Sequence, residues 1–422
     1  MVRLAIIADD LTGAMDTGLQ CSKQGLEVVV SWNGRSLLES EVLVLDTNSR
    51  AAPASEAVKR LRRAAQSVGD RLLYKKVDST MRGNVGYELR ALADTLKPRA
   101  IVVAPAFPQG GRTTLDGCQR VYGQRLEHTF FAHDPRWPMT ESHLPTLLMQ
   151  QAGREIGHVG LRPVAAGVDA LMCALEACRQ EIIVVDALDT HHLLAIAQAL
   201  VRLGPDWLPC GSAGLAEAWV QAGDLIAGVC RTPAPEQVGD GRRTSRPPGD
   251  GPVLILSGSR NDANIEQLRA ARERLHIPCV DLDAERFFDA ERELARLVSA
   301  CLSTLHRGQD TILTSTFSPL VPGGGPLIAR ILAEAAAQIA SKVALAGLFV
   351  TGGDVAVEVC RALDVRGLRI CHEVQNGIPG GQLLGGKQEE LWVVTKAGGF
   401  GDADAIVDAV RYLCGQEIST TT

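Results

Sequence analysis

The chain has no run of about 18 uninterrupted apolar residues, the least that crosses a bilayer as a helix, so a spanning helix is not expected. Its start also lacks the basic region, long apolar core and small-residue cleavage site of an export signal. Met1 to Ala8 passes directly into an apolar strand pattern. A cytoplasmic protein with no membrane partner is the expectation. An excess of basic residues is missing too: 43 Lys plus Arg stand against 49 Asp plus Glu, for a formal charge of -6. That leaves no surplus to track a nucleic-acid backbone, and no nucleic-acid partner is expected. The 11 cysteines are scattered, odd in number and contain no C-x-x-C pair, which points to reduced thiols. His191 and His192 are adjacent on a helical stretch and point in different directions, so no metal-ligating set is expected. No strand is followed by G-x-G-x-x-G, which removes the usual warrant for a nicotinamide dehydrogenase. No repeat of fixed period is present either.

What is present fits two domains. The 422 residues exceed one ordinary core, and 46% hydrophobic with 22% charged residues allows each half to bury its own. Strand-length apolar runs alternate with helical patterns: Leu4–Ala8, Val28–Ser31, Val42–Thr47, Leu72–Val77, Ile101–Ala104 and Ile182–Asp186. The rhythm resumes with Val253–Leu256, Thr311–Thr314, Leu348–Thr351 and Leu391–Thr395. Alternation of this kind predicts an α/β fold of two domains, each a mainly parallel sheet flanked by helices. The Pro-, Gly- and charge-rich stretch between Arg231 and Gly251 has the composition of a linker. The predicted boundaries are therefore 1–230, a linker at 231–251, and 252–422.

Ligands of such sheets bind outside the carboxyl ends of strands, so those positions carry the functional reading. The first strand ends in Asp9-Asp10-Leu11-Thr12, where a carboxylate can hold a sugar hydroxyl or accept its proton. The plain alternative is that Asp10 or Thr12 caps a helix. Arg50 follows the third strand and, taken alone, reads as a solvated charge. The fourth ends in Lys75-Lys76-Val77-Asp78-Ser79-Thr80-Met81-Arg82-Gly83-Asn84, a dense polar cluster whose bland reading is a capped helix with a salt bridge. Pro105 to Thr114 adds paired glycines and Arg112, or simply a Pro/Gly turn. Carboxylates for hydroxyls beside guanidinium groups for a carboxylate suggest a small polyhydroxy acid.

The second half offers three strand-glycine turns: Ser257-Gly258-Ser259, Thr351-Gly352-Gly353-Asp354 and Lys396-Ala397-Gly398-Gly399. One such turn is weak, since glycine serves wherever φ must be positive, but three favour a nucleotide. Gly381 to Lys387 has P-loop spacing, yet Gln388 stands where Ser or Thr should meet magnesium, and a strand rather than a helix follows. The Walker assignment is rejected on those grounds. Gly323-Gly324-Gly325 lies in a Pro-flanked loop and is left unassigned.

In ADDLTGAMDTG from Ala8, KKVDSTMRGN from Lys75, PAFPQGGRTT from Pro105, GSAGLAEAW from Gly211, LSGSRNDAN from Leu256, TGGD from Thr351 and KAGGFG from Lys396, the chain resembles the four-carbon acid sugar kinases over almost its whole length. The resemblance implies an N-terminal domain for the acid, a C-terminal domain for ATP, Mg²⁺ on the phosphates, a homodimer, and transfer to the terminal hydroxyl in an interdomain cleft. It puts Asp9, Arg50, Asp78, Ser79, Thr80, Met81, Arg82 and Gly83 around the substrate, with Asp9 or Asp10 as base. Ser257, Thr351, Gly352, Gly353, Asp354, Gly398 and Gly399 fall near the nucleotide. Two turns depart from the family pattern: Asp354-Val355 stands where Glu-Thr is frequent, and Ala397-Gly398-Gly399 where Ser-Gly-Asn is common. The segment from Ala8 to Gly25 is most similar to the threonate-type members, making D-threonate the first expectation, then D-erythronate and 3-oxo-tetronate. An ATP-binding sensor of a sugar acid is the reading of another class.

Overall fold

The computed structural model describes residues 4–32, 40–134, 136–223, 247–283 and 289–418. The chain divides into two compact units, Met1–Glu236 and Gln237–Thr422. Most of the expected linker, residues 231–246, lies outside the described residues.

The N-terminal unit has strands β1 (Leu4–Ala8), β2 (Val28–Trp32), β3 (Val42–Asp46), β4 (Leu72–Lys76), β5 (Ala100–Ala104), β6 (Arg112–Leu115), β7 (Cys118–Val121), β8 (Gln124–Arg125), β9 (Gly157–Val159), β10 (Ile182–Val185) and β11 (Trp207–Gly211). Eight of them form a parallel sheet in the order β2-β3-β1-β4-β11-β5-β10-β9. Both faces are covered, so these strands read as continuous apolar runs rather than alternations. Ile7, Leu45, Ile101 and Val103 pack with Leu89 and Leu92 of a covering helix in one core. The chain leaves β1 toward β3 and β2, then returns to β4 on the other side. That reversal marks the carboxyl ends of β1, β3 and β4 as the place where a sheet of this kind binds its ligand.

Three helices fix the loops there: α1 (Leu11–Lys23), α2 (Ala54–Ser67) and α3 (Val85–Leu96). Asp10 caps α1, its side chain accepting from the Gly13 N–H at 2.9 Å, as the capping reading anticipated. A small antiparallel meander, β6-β7-β8, was not read from the sequence. Its two-residue turns, Asp116-Gly117 and Tyr122-Gly123, have positive φ at both positions, matching the twist of the hairpins they close.

The C-terminal unit has β12 (Val253–Ser257), β13 (Cys279–Asp281), β14 (Thr311–Thr314), β15 (Gly347–Thr351), β16 (Gly367–Gln375), β17 (Ile378–Leu384) and β18 (Trp392–Lys396). Within it the order is β13-β14-β12-β15-β18-β17-β16, parallel as far as β18 and antiparallel beyond. Ile255, Phe349 and Val394 form its core with Val407 and Leu413. The rejected P-loop stretch lies largely in β17: Gly381 pairs with Ile370 of β16 and Val393 of β18, and so cradles nothing.

Candidate functional site

In the N-terminal unit the strand ends assemble a charge cluster around Arg50. Its Nε and Nη2 donate to the two Asp9 oxygens at 2.8 and 2.9 Å, while Nη1 and Nη2 donate to the two Asp10 oxygens at 2.6 and 2.7 Å. One guanidinium thus grips two carboxylates, each in the two-pronged geometry its planar fork suits. Taken alone, Arg50 reads as a solvated charge; here it is a mostly enclosed clasp between β1 and the loop after β3. Burial opposes ionisation of Asp9, but the charge and hydrogen bonds of Arg50, with Lys75 and Lys76 nearby, outweigh it and hold this carboxyl below its ordinary value. Burial, joined by the Asp9 charge, pushes Asp10 the other way. Two neighbouring carboxyls on one arginine are therefore driven apart, and Asp10 is the more exposed, at 25% against 3%.

Beside them Asp78 binds Arg82: Nε and Nη2 reach its two oxygens at 2.8 and 3.1 Å, and Nη1 reaches Asp134 at 3.0 Å. Burial works against the Asp78 charge, yet Arg82 and Arg50 outweigh it and keep this carboxyl far below the usual range. Thr80 also hydrogen-bonds Asp78, and Phe131 lies under the Arg82 guanidinium at 5.0 Å. Ser79 contributes its carbonyl to Gln119, and the Met81 side chain is buried in the core. Gly83, at φ +102°, brings its backbone against Arg50, where a Cβ would lie 3.0 Å from Cγ.

A second row of polar groups supports this one. Lys75 and Glu88, both fully buried, pair at 2.8 Å, and Glu88 also accepts from Ser49. Asn84 donates to the carbonyls of Ser49 and Ala52 at 2.9 and 2.8 Å, fixing the loop that carries Arg50. Asp46, at the end of β3, is pushed up to about 7 by burial. Gly13 is required by space: a Cβ there would sit 2.7 Å from Asp10 and 2.9 Å from the Lys76 ammonium. The sequence reading assigned no role to Lys75, Lys76, Glu88, Asn84 or Asp134. Two lysines closing an otherwise apolar strand were the available signal, since adjacent strand residues face opposite ways and at least one must enter the interior.

In the C-terminal unit the three glycine turns meet. Gly352, at φ +107°, approaches Gly258 and Ser259, with 3.7 Å to its nearest atoms from an added Cβ. A Cβ on Gly398 would collide with Ser259 Oγ unless that hydroxyl moved, so the first and third turns touch here. Ser257 is buried and held by Thr316 and Asn264, each at 2.9 Å. Thr351 is buried, and its hydroxyl has no hydrogen-bond partner among the described residues. Gly353 and Asp354 open the helix that runs to Ala362, and Gly399 lies beside Asn261. Glycine turns, hydroxyls and backbone amides gathered at strand ends suit a phosphate chain. Among the described residues no group of three or more His, Cys, Asp or Glu forms a metal-binding cluster.

Two family models match the chain, one in each unit. A sugar-binding N-terminal domain model matches residues 4–219, and a nucleotide-binding C-terminal domain model matches residues 254–406. The D-threonate kinase of Salmonella typhimurium is 34% identical, over 98% of this chain and 98% of its own length. The D-erythronate kinase of Heliobacterium modesticaldum is 31% identical, over 98% and 97%. The 3-oxo-tetronate kinase of Escherichia coli is 30% identical, over 88% and 97%. A solved structure from Salmonella typhimurium LT2, described as a tRNA synthase, aligns with a TM-score of 0.81 at 26% identity, covering 97% of this chain and 99% of that one.

Proposed function

The chain belongs to the four-carbon acid sugar kinases, and from that premise we propose that it transfers the γ-phosphoryl group of ATP to the 4-hydroxyl of D-threonate, giving 4-phospho-D-threonate. Residues 1–230 take the acid and 252–422 the nucleotide.

The observation that carries the acid-binding half is the unused capacity of Arg82. A guanidinium has five N–H donors. Asp78 takes two of those on Arg82 and Asp134 a third, which leaves two for a guest carboxylate. Arg50 already donates four hydrogen bonds to Asp9 and Asp10, and so serves to orient those carboxyls.

Asp10 is the better base of the pair. Its raised proton affinity and greater exposure suit it to accept the hydroxyl proton, whereas Asp9 is held ionised and enclosed. As that proton moves to Asp10, the hydroxyl oxygen bonds to the γ-phosphorus, the bond to the β–γ bridging oxygen breaks, and ADP leaves. The amides and hydroxyls around Ser257, Thr351, Gly352, Gly353, Asp354, Gly398 and Gly399 position the phosphates. Mg²⁺ carried on those phosphates supplies charge neutralisation.

D-Threonate ranks above D-erythronate and 3-oxo-tetronate because the named D-threonate kinase shares the higher identity. A cytoplasmic setting fits the ATP donor. A coupled ADP-release assay with Mg-ATP and a panel of D- and L-threonate, D- and L-erythronate and 3-oxo-tetronates tests the reading. Turnover fastest with D-threonate is expected. Turnover confined to another acid corrects the substrate, and ATP binding without turnover on any acid points to a sensor.

A further inference from the structure

A lysine stands at the end of β18 with nothing of opposite charge to meet it among the described residues. Lys396 is 4% exposed, and its ammonium donates to the carbonyls of Ala397 and Gly398, each at 2.9 Å. An ammonium has three donors, so one remains. Among the described residues no carboxylate pairs with it, and burial with no opposing charge lowers its affinity for a proton to about 8. Lys75, by contrast, is paired with Glu88 at 2.8 Å, and the buried Lys76, whose ammonium donates to the Val77 carbonyl, lies in the field of the Asp9 and Asp10 carboxyls. Burying a cation without a counter-ion is costly, and it persists where an anion from outside completes the site.

The surroundings identify that anion. The Lys396 carbonyl accepts from the Gly352 N–H at 3.4 Å, so the third glycine turn is tied to the second. Gly398 lies against Ser259 of the first. Thr351, the register partner of Lys396 on β15, is fully buried with its hydroxyl unmatched. A buried cation and a buried hydroxyl with no partner among the described residues therefore share the strand ends where the three glycine turns meet. We propose that Lys396 is the cation that binds the phosphate chain of the nucleotide, an inference that rests on the nucleotide role proposed for this unit.

Isothermal titration of the full chain with ATP, ADP and adenosine, on the wild type, Lys396→Met and Lys396→Arg, tests it. Lys396→Met is expected to weaken ATP and ADP roughly 10- to 100-fold, as loss of a charge-assisted hydrogen bond does, while adenosine is unchanged. Lys396→Arg should recover part of the loss. Unchanged ATP affinity in Lys396→Met would overturn the assignment, and so would equal loss of ATP and adenosine, which marks a residue that merely braces the turn. A wild type that binds D-threonate but none of the three nucleotides overturns the nucleotide reading of the unit itself. That outcome is distinct from tight wild-type binding with an indifferent variant.

Discussion

The two units surround buried positive charge differently, although Lys76 in the first, like Lys396 in the second, donates to a backbone carbonyl. In the N-terminal unit Lys75 meets Glu88, Arg50 meets Asp9 and Asp10, and Arg82 meets Asp78 and Asp134. In the C-terminal unit Lys396 meets the carbonyls of Ala397 and Gly398 and, among the described residues, no carboxylate. A small acid with one carboxylate and several hydroxyls needs oriented donors and acceptors, which internal ion pairs hold in place before it arrives. A nucleotide brings several negative charges of its own, so an unanswered ammonium among glycine turns is the complementary arrangement. Each difference between the two units can be tested by substitution.

The largest effect is expected at the pair of carboxyls on Arg50. Asp10→Asn keeps the shape but removes the proposed proton acceptor, and kcat should fall about 100- to 10,000-fold with ATP affinity intact. The coupled assay with saturating acid and Mg-ATP measures it. Asp9→Asn with a greater loss of kcat than Asp10→Asn would exchange the two roles. In the wild type, kcat should decline as pH falls through the raised Asp10 range, since the base acts only when unprotonated.

Next in size is the Lys75–Glu88 pair, which tests whether the internal pairing is structural. Lys75→Met leaves Glu88 buried without its cation, and unfolding in urea should show about 3–5 kcal/mol of lost stability. Lys75→Met combined with Glu88→Leu removes both charges and should recover most of it. Failure of the double variant to recover would mean that Ser49 and the loop carrying Arg50 depend on Glu88 directly.

Lys396 should respond with the opposite sign. Its folded-state proton affinity lies near 8, below the ordinary lysine value of 10.5, so the unfolded chain holds the proton more tightly between those values. Stability contributed by this group is lowest below about pH 8 and rises as pH climbs from 8 toward 10.5. Lys396→Met removes that dependence, and should be no less stable than wild type at pH 7. The advantage of the variant, at most about 3 kcal/mol by the size of the shift, should shrink toward the alkaline end. Urea midpoints of the two proteins at several pH values check it. A variant less stable at pH 7 would show that the two carbonyl bonds outweigh the desolvated charge.

How much of this could be read beforehand follows from the distance over which each feature is determined. Runs such as Ile101–Ala104 and Val253–Leu256 are buried on both faces of a parallel sheet, so composition alone marks them as strands. Trp207–Gly211 escaped notice because Pro209 argues against a central strand, although it lies between β4 and β5. The register shows how the proline is accommodated: β11 pairs with β4 only from Cys210 onward, leaving the missing N–H without consequence on that side. The strand-end motifs and the Asp10 cap are local and were legible. The resemblance placed Arg50 near the substrate, but its pairing was not legible, because its two partners lie 40 and 41 residues away, and Asp134 lies 52 residues from Arg82. Pairings of that kind are made by the order of strands in the sheet. Composition and spacing carry no trace of them.

The smallest effect, and the one that bears most directly on the acid, belongs to Arg82. If its two remaining donors take the substrate carboxylate, Arg82→Ala should raise the KM for the acid about 10- to 100-fold while the KM for ATP stays unchanged. Arg82→Lys retains the charge but not the fork, and should recover only a minor part. The variant also releases Asp78 and Asp134 from their common partner, so a local disturbance is the competing explanation. Asp134→Asn separates the two. It weakens the hold on Arg82 Nη1 without touching the free donors, and should leave the KM for the acid within a few-fold of wild type. If Asp134→Asn raises that KM as much as Arg82→Ala does, Arg82 acts by bracing the loop after β4, and the guest carboxylate is held elsewhere.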